Sequence, residues 1–213
     1  MKTYQEVVER WYRGEGVVGI GSGRTVALLM PHLAQKMDRK CVVVGTSTQS
    51  ELLIRSSGFS PVSLSVVDSI DVYFDGADYV DEEGSVIKGY GGAIAKEKIC
   101  MFLSGISVIV AQRKKVVRSF EGLLVPVEIL RDSLALFTAH LDSLGLSHTL
   151  QVGSNGTSLF VTENSNGVVY VEYNREFLLS CESLPGVVSH GLVVPSKSVH
   201  VVIVDEELGR GTV

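Results

Sequence analysis

The chain has 213 residues, 45% hydrophobic and 20% charged, which excludes a disordered or fibrous protein and fits one large domain or a main domain with a smaller companion. A net charge of -5 and a pI near 5.5 exclude a polyanion-binding surface as its main business, leaving room only for a local phosphate site. Cys41, Cys100 and Cys181 form no Cys-x-x-Cys pair and have no histidine cluster nearby, so they read as free thiols in a reducing compartment.

Residues 1–10 form a charged helical pattern unlike a signal peptide. Val17–Ile20 reads as a buried strand, Gly21–Thr25 as a turn and Val26–Met37 as a helix. Cys41–Val44 is a second strand, Gly45–Thr48 a turn, and Gln49–Ser57 a helix stopped by Gly58. Short strands follow near Val62–Leu64 and at Asp71–Phe74, then a helix at Ala93–Leu103 and a strand at Ser107–Ala111. Apolar runs alternating with helices predict an α/β fold, a mostly parallel sheet with helices on both faces.

The pattern changes near Val125–Ile129. Leu134–Leu144 reads as a helix, and Thr157–Thr162 and Gly167–Tyr173 as antiparallel strands around the turn at 163–167. A helix near Glu176–Ser183 and an apolar stretch at Gly191–Val194 complete a smaller α+β insertion. Ser198–Val204 is a last buried strand, expected to rejoin the main sheet. No apolar run approaches the ~20 residues needed to cross a bilayer, so a soluble cytoplasmic protein is expected.

Four groups of residues carry candidate chemistry. Gly21-Ser-Gly-Arg-Thr25 joins a strand to a helix, where free N–H groups and the helix dipole favour an anion. Ser22 and Thr25 add hydroxyls and Arg24 a charge; a plain turn capped by Thr25 is the alternative. The spacing matches neither a nucleotide P-loop nor a dinucleotide fingerprint. Gly45–Ser50 lies at the equivalent place after the next strand, where a helix cap by Ser47 or Thr48 is the simpler reading.

The third group is Asp71-Val-Tyr-Phe-Asp-Gly-Ala-Asp-Tyr-Val-Asp81. Asp75 and Asp78 leave the end of a strand with Gly76 and Ala77 between them, small enough for a ligand to approach the backbone. Sugar-hydroxyl binding and proton handling rank first for these acids, a turn capped by Asp78 or Asp81 second and a metal third. Lys88-Gly-Tyr-Gly-Gly92 combines a cation with flexible backbone donors at Gly89, Tyr90 and Gly91, an arrangement suited to an oxyanion. Glu97 then falls among apolar residues on the next helix, where burial would raise its pKa toward the range a general base needs. A surface pairing with a lysine is the alternative for it. Gln112-Arg-Lys-Lys115, the fourth group, offers a cation at another strand end, though a solvated loop is the commoner outcome. His32, His140, His148, His190 and His200 form no triad or ligand spacing and read as non-catalytic.

Asp75-Gly-Ala-Asp-Tyr-Val-Asp81, Ile87-Lys-Gly-Tyr-Gly-Gly-Ala93 and Glu97-Lys98 closely resemble the signature of type A ribose-5-phosphate isomerases. So do the early Gly-Ser-Gly-x-Thr turn, Val125-Pro-Val-Glu128 and Leu184-Pro-Gly-Val-Val-Ser-His-Gly-Leu192, in the same order along nearly the whole chain; the stretch from about Arg131 to Phe177 matches only loosely. The resemblance implies a Rossmann-like catalytic domain over residues 1–125 and 195–213 and a ferredoxin-like α+β domain over 126–194. It further implies interconversion of ribose 5-phosphate and ribulose 5-phosphate in the non-oxidative pentose phosphate pathway, without metal or organic cofactor.

By the same resemblance Glu97 shuttles a proton between C1 and C2 through a cis-enediol, and Asp75 helps to open the ring. Asp78 and Lys88 orient and stabilise the oxygens. Ser22, Gly23, Arg24 and Thr25 hold the phosphate with Lys115, and Gly76, Ala77, Gly89, Tyr90 and Gly91 line the sugar. A homodimer or homotetramer is expected, with no nucleic-acid or membrane partner. Three positions depart from the family pattern: Tyr79 stands where glutamate is usual, Tyr90 where glycine is usual, and Arg24 replaces a small hydroxyl residue. A sugar-phosphate sensor without turnover is the competing reading.

Overall fold

The computed structural model describes residues 2–205; Met1 and 206–213, the ends of the expected catalytic domain, lie outside the described residues. In chain order the first elements are α1 (Tyr4–Trp11), β1 (Val17–Ile20), α2 (Arg24–Lys36), β2 (Val42–Gly45), α3 (Thr48–Ser56), β3 (Pro61–Val62) and β4 (Ile70–Gly76). Then come β5 (Tyr79–Val80), β6 (Val86–Ile87), α4 (Ile94–Leu103), β7 (Ser104–Gln112), β8 (Leu124–Ile129) and α5 (Leu134–Ser143). The last are β9 (His148–Leu150), β10 (Gly167–Glu172), α6 (Arg175–Ser180), β11 (Val187–His190), β12 (Leu192–Val193) and β13 (Val199–Val204).

Six strands form one parallel sheet in the order β3-β2-β1-β4-β7-β13. Counted along the chain this is 3-2-1-4-5-6, the doubly wound order that leaves a crevice where the winding reverses, here between β1 and β4. Alternate residues of the strands serve two cores. Val18, Ile20, Val43, Val72, Phe74, Val108 and Val110 pack under α1, α2 and α3. Tyr73, Ile109 and Ala111 face Cys100 and Met101 of α4, together with Val80, Val86 and Val193 of a small β12-β6-β5 sheet. Burial on both sides explains why these strands read as continuous apolar runs. β13 does rejoin the main sheet, pairing in parallel with β7 from Val199↔Ser107 to Val204↔Gln112.

Between β7 and β12 the chain builds β8-α5-β9-β10-α6-β11, an antiparallel sheet of order β11-β8-β10-β9 with its own core around Val127, Ile129, Phe137, Leu141, Val169 and Leu178. This is the ferredoxin-like β-α-β-β-α-β arrangement. One expected hairpin differs. Residues 157–162 form no regular strand, and the isolated bridge that Leu159 makes runs to Val152, not to Gly167–Tyr173. β10 pairs instead with β8 and with β9, a strand whose His148-Thr-Leu150 carries little hydrophobic signal. The pairing partner is chosen by which edge the core leaves open, which local alternation does not reveal.

Candidate active site

The C-terminal ends of β1, β2, β4 and β7 open into one cavity of ≈ 350 Å³ at the winding reversal. Every residue expected at the site lines it: Ser22, Gly23, Arg24, Thr25, Asp75, Gly76, Ala77, Asp78, Lys88, Gly89, Tyr90, Gly91, Glu97 and Lys115. It is also lined by Ser47, Gln49, Ala93, Gln112, Lys114 and Glu163.

At its centre lie two acids and one cation, all buried. Asp75 is 1% exposed, Lys88 4% and Glu97 5%. The Lys88 ammonium reaches Asp75 Oδ2 at 2.6 Å and also donates to Glu97 Oε2. Asp75 is held further by the Tyr73 hydroxyl, which donates to Oδ2, and by the Gly76 N–H, which donates to Oδ1 at 2.7 Å. Gly21 must lack a side chain here, because a Cβ on it would run into the Asp75 carboxyl group.

One cation cannot neutralise two buried carboxylates, and the misfit falls on Glu97. Burial, and after it the negative charge of Asp75, outweigh the attraction of Lys88 and push the Glu97 carboxyl up to about 8. Burial alone would lower the Lys88 pKa, but the coulombic pull of Asp75 and Glu97 overrides it and keeps the ammonium charged. Asp78 is also raised by burial, against the Tyr90 N–H at 3.1 Å and the charge of Lys115. Glu97 is therefore a buried carboxyl with a raised pKa, and the lysine it pairs with is buried and not on the helix surface.

The backbone that aims Lys88 is set from far along the chain. Its N–H donates to the Gly191 carbonyl at 2.9 Å, and a Cβ at Gly191 would collide with the Lys88 carbonyl. That explains the glycine within the Leu184–Leu192 stretch. Asp81, one of the two turn-capping candidates, accepts the Ser85 N–H at 2.7 Å and serves the β5–β6 turn rather than the cavity.

The candidate anion end lies at the start of α2. Gly23 is the N-cap and provides no side-chain hydrogen bond, so Thr25 does not cap the helix and the first-turn N–H groups remain directed outward. The Ser22 hydroxyl shares hydrogen bonds with Thr46 at 2.9 Å and Ser47 at 2.6 Å. Ser47 also caps α3, accepting the Ser50 N–H at 3.1 Å, so the simpler reading of that turn holds while the residue still forms a wall. The second helix start on this wall is taken: Glu163 accepts the Thr48 N–H at 2.7 Å and pairs with Lys96 at 3.1 Å. Of the two helix starts on this wall, that of α2 is the one left without a carboxylate partner.

From the basic run, Lys115 donates to the Ala77 carbonyl at the end of β4, and burial lowers its pKa. Lys114 lines the cavity beside it, whereas Arg113 turns away to Asp205 at 2.6 Å. Two cations of this run, not one, thus line the cavity.

The two tyrosines that depart from the family pattern touch each other. Tyr90 lies edge-on to Tyr79, ring centroids 6.1 Å apart, and to Tyr170 of β10 at 5.3 Å. Its hydroxyl donates to the Leu124 carbonyl at 2.6 Å, which turns the ring toward the smaller sheet. No histidine lines the cavity among the described residues. His190 is buried, its Nδ1 accepts the Leu192 N–H at 3.2 Å, and burial lowers its pKa to about 3. Nor does any group of three or more His, Cys, Asp and Glu side chains converge in metal-binding geometry among the described residues.

Glu163 is the liner that sequence reasoning missed. It sits in a loop with ordinary turn composition, and its backbone partner Thr48 lies 115 residues away. No local signal marks such a residue.

Known proteins share this architecture. Residues 42–209 match the family model described as ribose 5-phosphate isomerase A (phosphoriboisomerase A). The chain is 32% identical over 188 residues to ribose-5-phosphate isomerase A of Synechocystis, covering 84% of this chain and 80% of that one. The solved ribose 5-phosphate isomerase A of Methanocaldococcus jannaschii superposes with a TM-score of 0.83 at 26% identity, covering 93% of this chain and 91% of the other. A D-ribose-5-phosphate isomerase solved in complex with phospho-erythronic acid superposes with a TM-score of 0.85 at 26% identity, over 94% and 91%. With the match extending from the second strand through the last, the chain belongs to the ribose 5-phosphate isomerase A family.

Proposed function

We propose that this protein interconverts D-ribose 5-phosphate and D-ribulose 5-phosphate, an aldose–ketose isomerisation of the non-oxidative pentose phosphate pathway. The observation that carries the reading is the buried Asp75–Lys88–Glu97 group, in one cavity with an uncapped helix start fit for a phosphate. The homologue that holds phospho-erythronic acid, a phosphorylated sugar acid, supports a phosphopentose as the ligand.

In this mechanism the phosphate lies at Ser22, Gly23, Arg24 and Thr25, with Lys115 near it. Asp75, fixed by Tyr73, Gly76 and Lys88, attends the ring oxygen and the C1 hydroxyl as the furanose opens. Glu97 in its carboxylate form takes the proton from C2. The electron pair left behind makes the C1–C2 double bond, and the carbonyl pair moves onto O1, giving the cis-enediol form. Lys88 and Asp78 stabilise the oxygens as charge develops there. A proton passes from O2 to O1, and Glu97 returns its proton to C1, leaving the carbonyl at C2. Gly76, Ala77, Gly89, Tyr90 and Gly91 give the sugar close backbone approach.

The same proposal divides the chain into a catalytic part, 1–125 with 195–213, and a smaller domain at 126–194, supported by their separate sheets and cores. It includes assembly as a dimer or tetramer, supported by Phe102 of α4, which is 90% exposed. A cytoplasmic location agrees with three free cysteines and with the lack of a membrane-length apolar helix among the described residues. A sensor without turnover would have no use for a buried acid poised near neutrality.

The test is direct. Ribose 5-phosphate is incubated with the protein in deuterated water containing a chelator and followed by NMR. Ribulose 5-phosphate is expected, with deuterium entering during turnover. Neither ketose nor exchange at C2 would sink the isomerase reading.

A further inference from the structure

We infer that Glu128 is a positioning residue for the reaction, capping the catalytic helix from the smaller domain and tying it to the opposite wall of the cavity. The inference rests on the isomerase reading above. α4 begins at Ile94, after Ala93, an N-cap with no side-chain hydrogen bond, yet its first turn carries Glu97. A helix start left in this state has unsatisfied N–H groups and frays. Glu128 supplies the missing acceptor: its Oε2 takes the Ala95 N–H at 3.0 Å, at the second helical residue, where an N-cap side chain ordinarily acts. Its charge also faces the positive end of the helix dipole.

The other carboxylate oxygen holds a different segment. Oε1 accepts from Thr162 Oγ1 at 2.9 Å, Asn166 Nδ2 at 2.9 Å and Asn164 Nδ2 at 3.3 Å. These three donors flank Glu163, which reaches the cavity wall at Thr48 and Lys96. Glu128 itself is 0% exposed and stands on β8, a strand paired on both sides by β10 and β11. A rigid strand thus sets, through one carboxylate, both the start of the helix bearing the base and the loop facing it. A proton-transferring group tolerates little misplacement, and a shift near 1 Å can cost up to about 10²-fold in rate. The phosphate subsite at α2 makes no hydrogen bond to Glu128 and connects to it only indirectly, through Ser22–Ser47 and Thr48–Glu163, so the effect should fall on kcat more than on KM.

The experiment compares Glu128→Ala and Glu128→Gln in the full chain, measuring kcat and KM for ribose 5-phosphate, the pH profile, circular dichroism and amide exchange at Ala95. Glu128→Ala is expected to lower kcat about 10-fold or more with KM within about 3-fold. Ala95 exchange should quicken, and the acidic limb should move to lower pH as water reaches Glu97. Glu128→Gln keeps an oxygen for Ala95, while Thr162 and Asn166 can turn to accept from its amide, so it should restore most of kcat. A folded Glu128→Ala enzyme with kcat within twofold of wild type overturns the inference. So does a Glu128→Gln enzyme below one tenth of wild-type kcat with Ala95 still protected, a comparison that stands even if the alanine variant does not fold. Absence of turnover in the wild type would instead strike the isomerase reading.

Discussion

Among the described residues two glutamates are buried, one beside the parallel sheet and one in the antiparallel sheet, and they are buried in opposite ways. Glu128 is surrounded by neutral donors that satisfy both of its oxygens. Glu97 shares a single ammonium with Asp75, and its carboxyl pKa rises. Burial by itself therefore does not make an acid chemically useful. A carboxylate given enough hydrogen bonds is a fixture, whereas one that must share a cation with a second buried acid holds its proton more tightly.

Replacing the base is the sharpest way to break this contrast. Glu97→Gln should lower kcat by about 10² to 10⁴-fold with KM little changed, the usual range for loss of a general base. Steady-state kinetics and exchange at C2 would measure it, and unchanged turnover would remove Glu97 from its role.

Removing the cation comes next. Lys88→Met leaves Asp75 and Glu97 buried without a counter-charge and should destabilise the fold by about 3–5 kcal/mol near neutral pH. Denaturant titration reads this directly, and part of the loss should be recovered in acid, where the carboxyls take up protons.

The pH dependence is subtler. Because Glu97 is raised in the folded protein to about 8, the native state holds a proton that the unfolded chain has already released. Its contribution favours folding at acid pH and is lost as pH rises from the ordinary carboxyl range through that value. kcat/KM should climb over the same upper range as the base ionises. Glu97→Gln should flatten this part of the stability profile, and an unaltered profile would show that the proton belongs elsewhere in the group.

The smallest effect is expected at the tyrosine pair. Tyr90→Phe removes the hydrogen bond to Leu124 and should cost about 1 kcal/mol of stability, with kcat within about twofold. A large fall in kcat would mean that the Tyr90 hydroxyl works in the site rather than in the packing.

Much of this was legible in the chain. The apolar runs at Val17–Ile20, Asp71–Phe74 and Ser107–Ala111 announced buried parallel strands because both faces of that sheet are covered. The acids, the lysine and the glycines of residues 75–97 announced the site because they follow one another closely in the chain, from the C-terminal end of β4 to the first turn of α4. Residues 157–162 misled, since the short apolar run Leu159-Phe-Val161 reads like a strand, while β10 is already paired on both sides, by β8 and β9. The short β5, β6 and β9 carried too few residues for any period to show.

By itself the sequence determined which side chains could handle protons and anions, and the order of strands and helices that delivers them. Burial was inferred for Glu97 from its apolar neighbours, because helical spacing is a local property. Tertiary structure decided which groups share a charge. Whether Lys88 serves Asp75, Glu97 or both depends on Gly191 fixing its backbone, and Glu163 reaches Thr48 only through the packing of the two sheets. Electrostatics acts over a few ångströms in space, and partners more than a hundred residues apart carry no mark of one another in the chain.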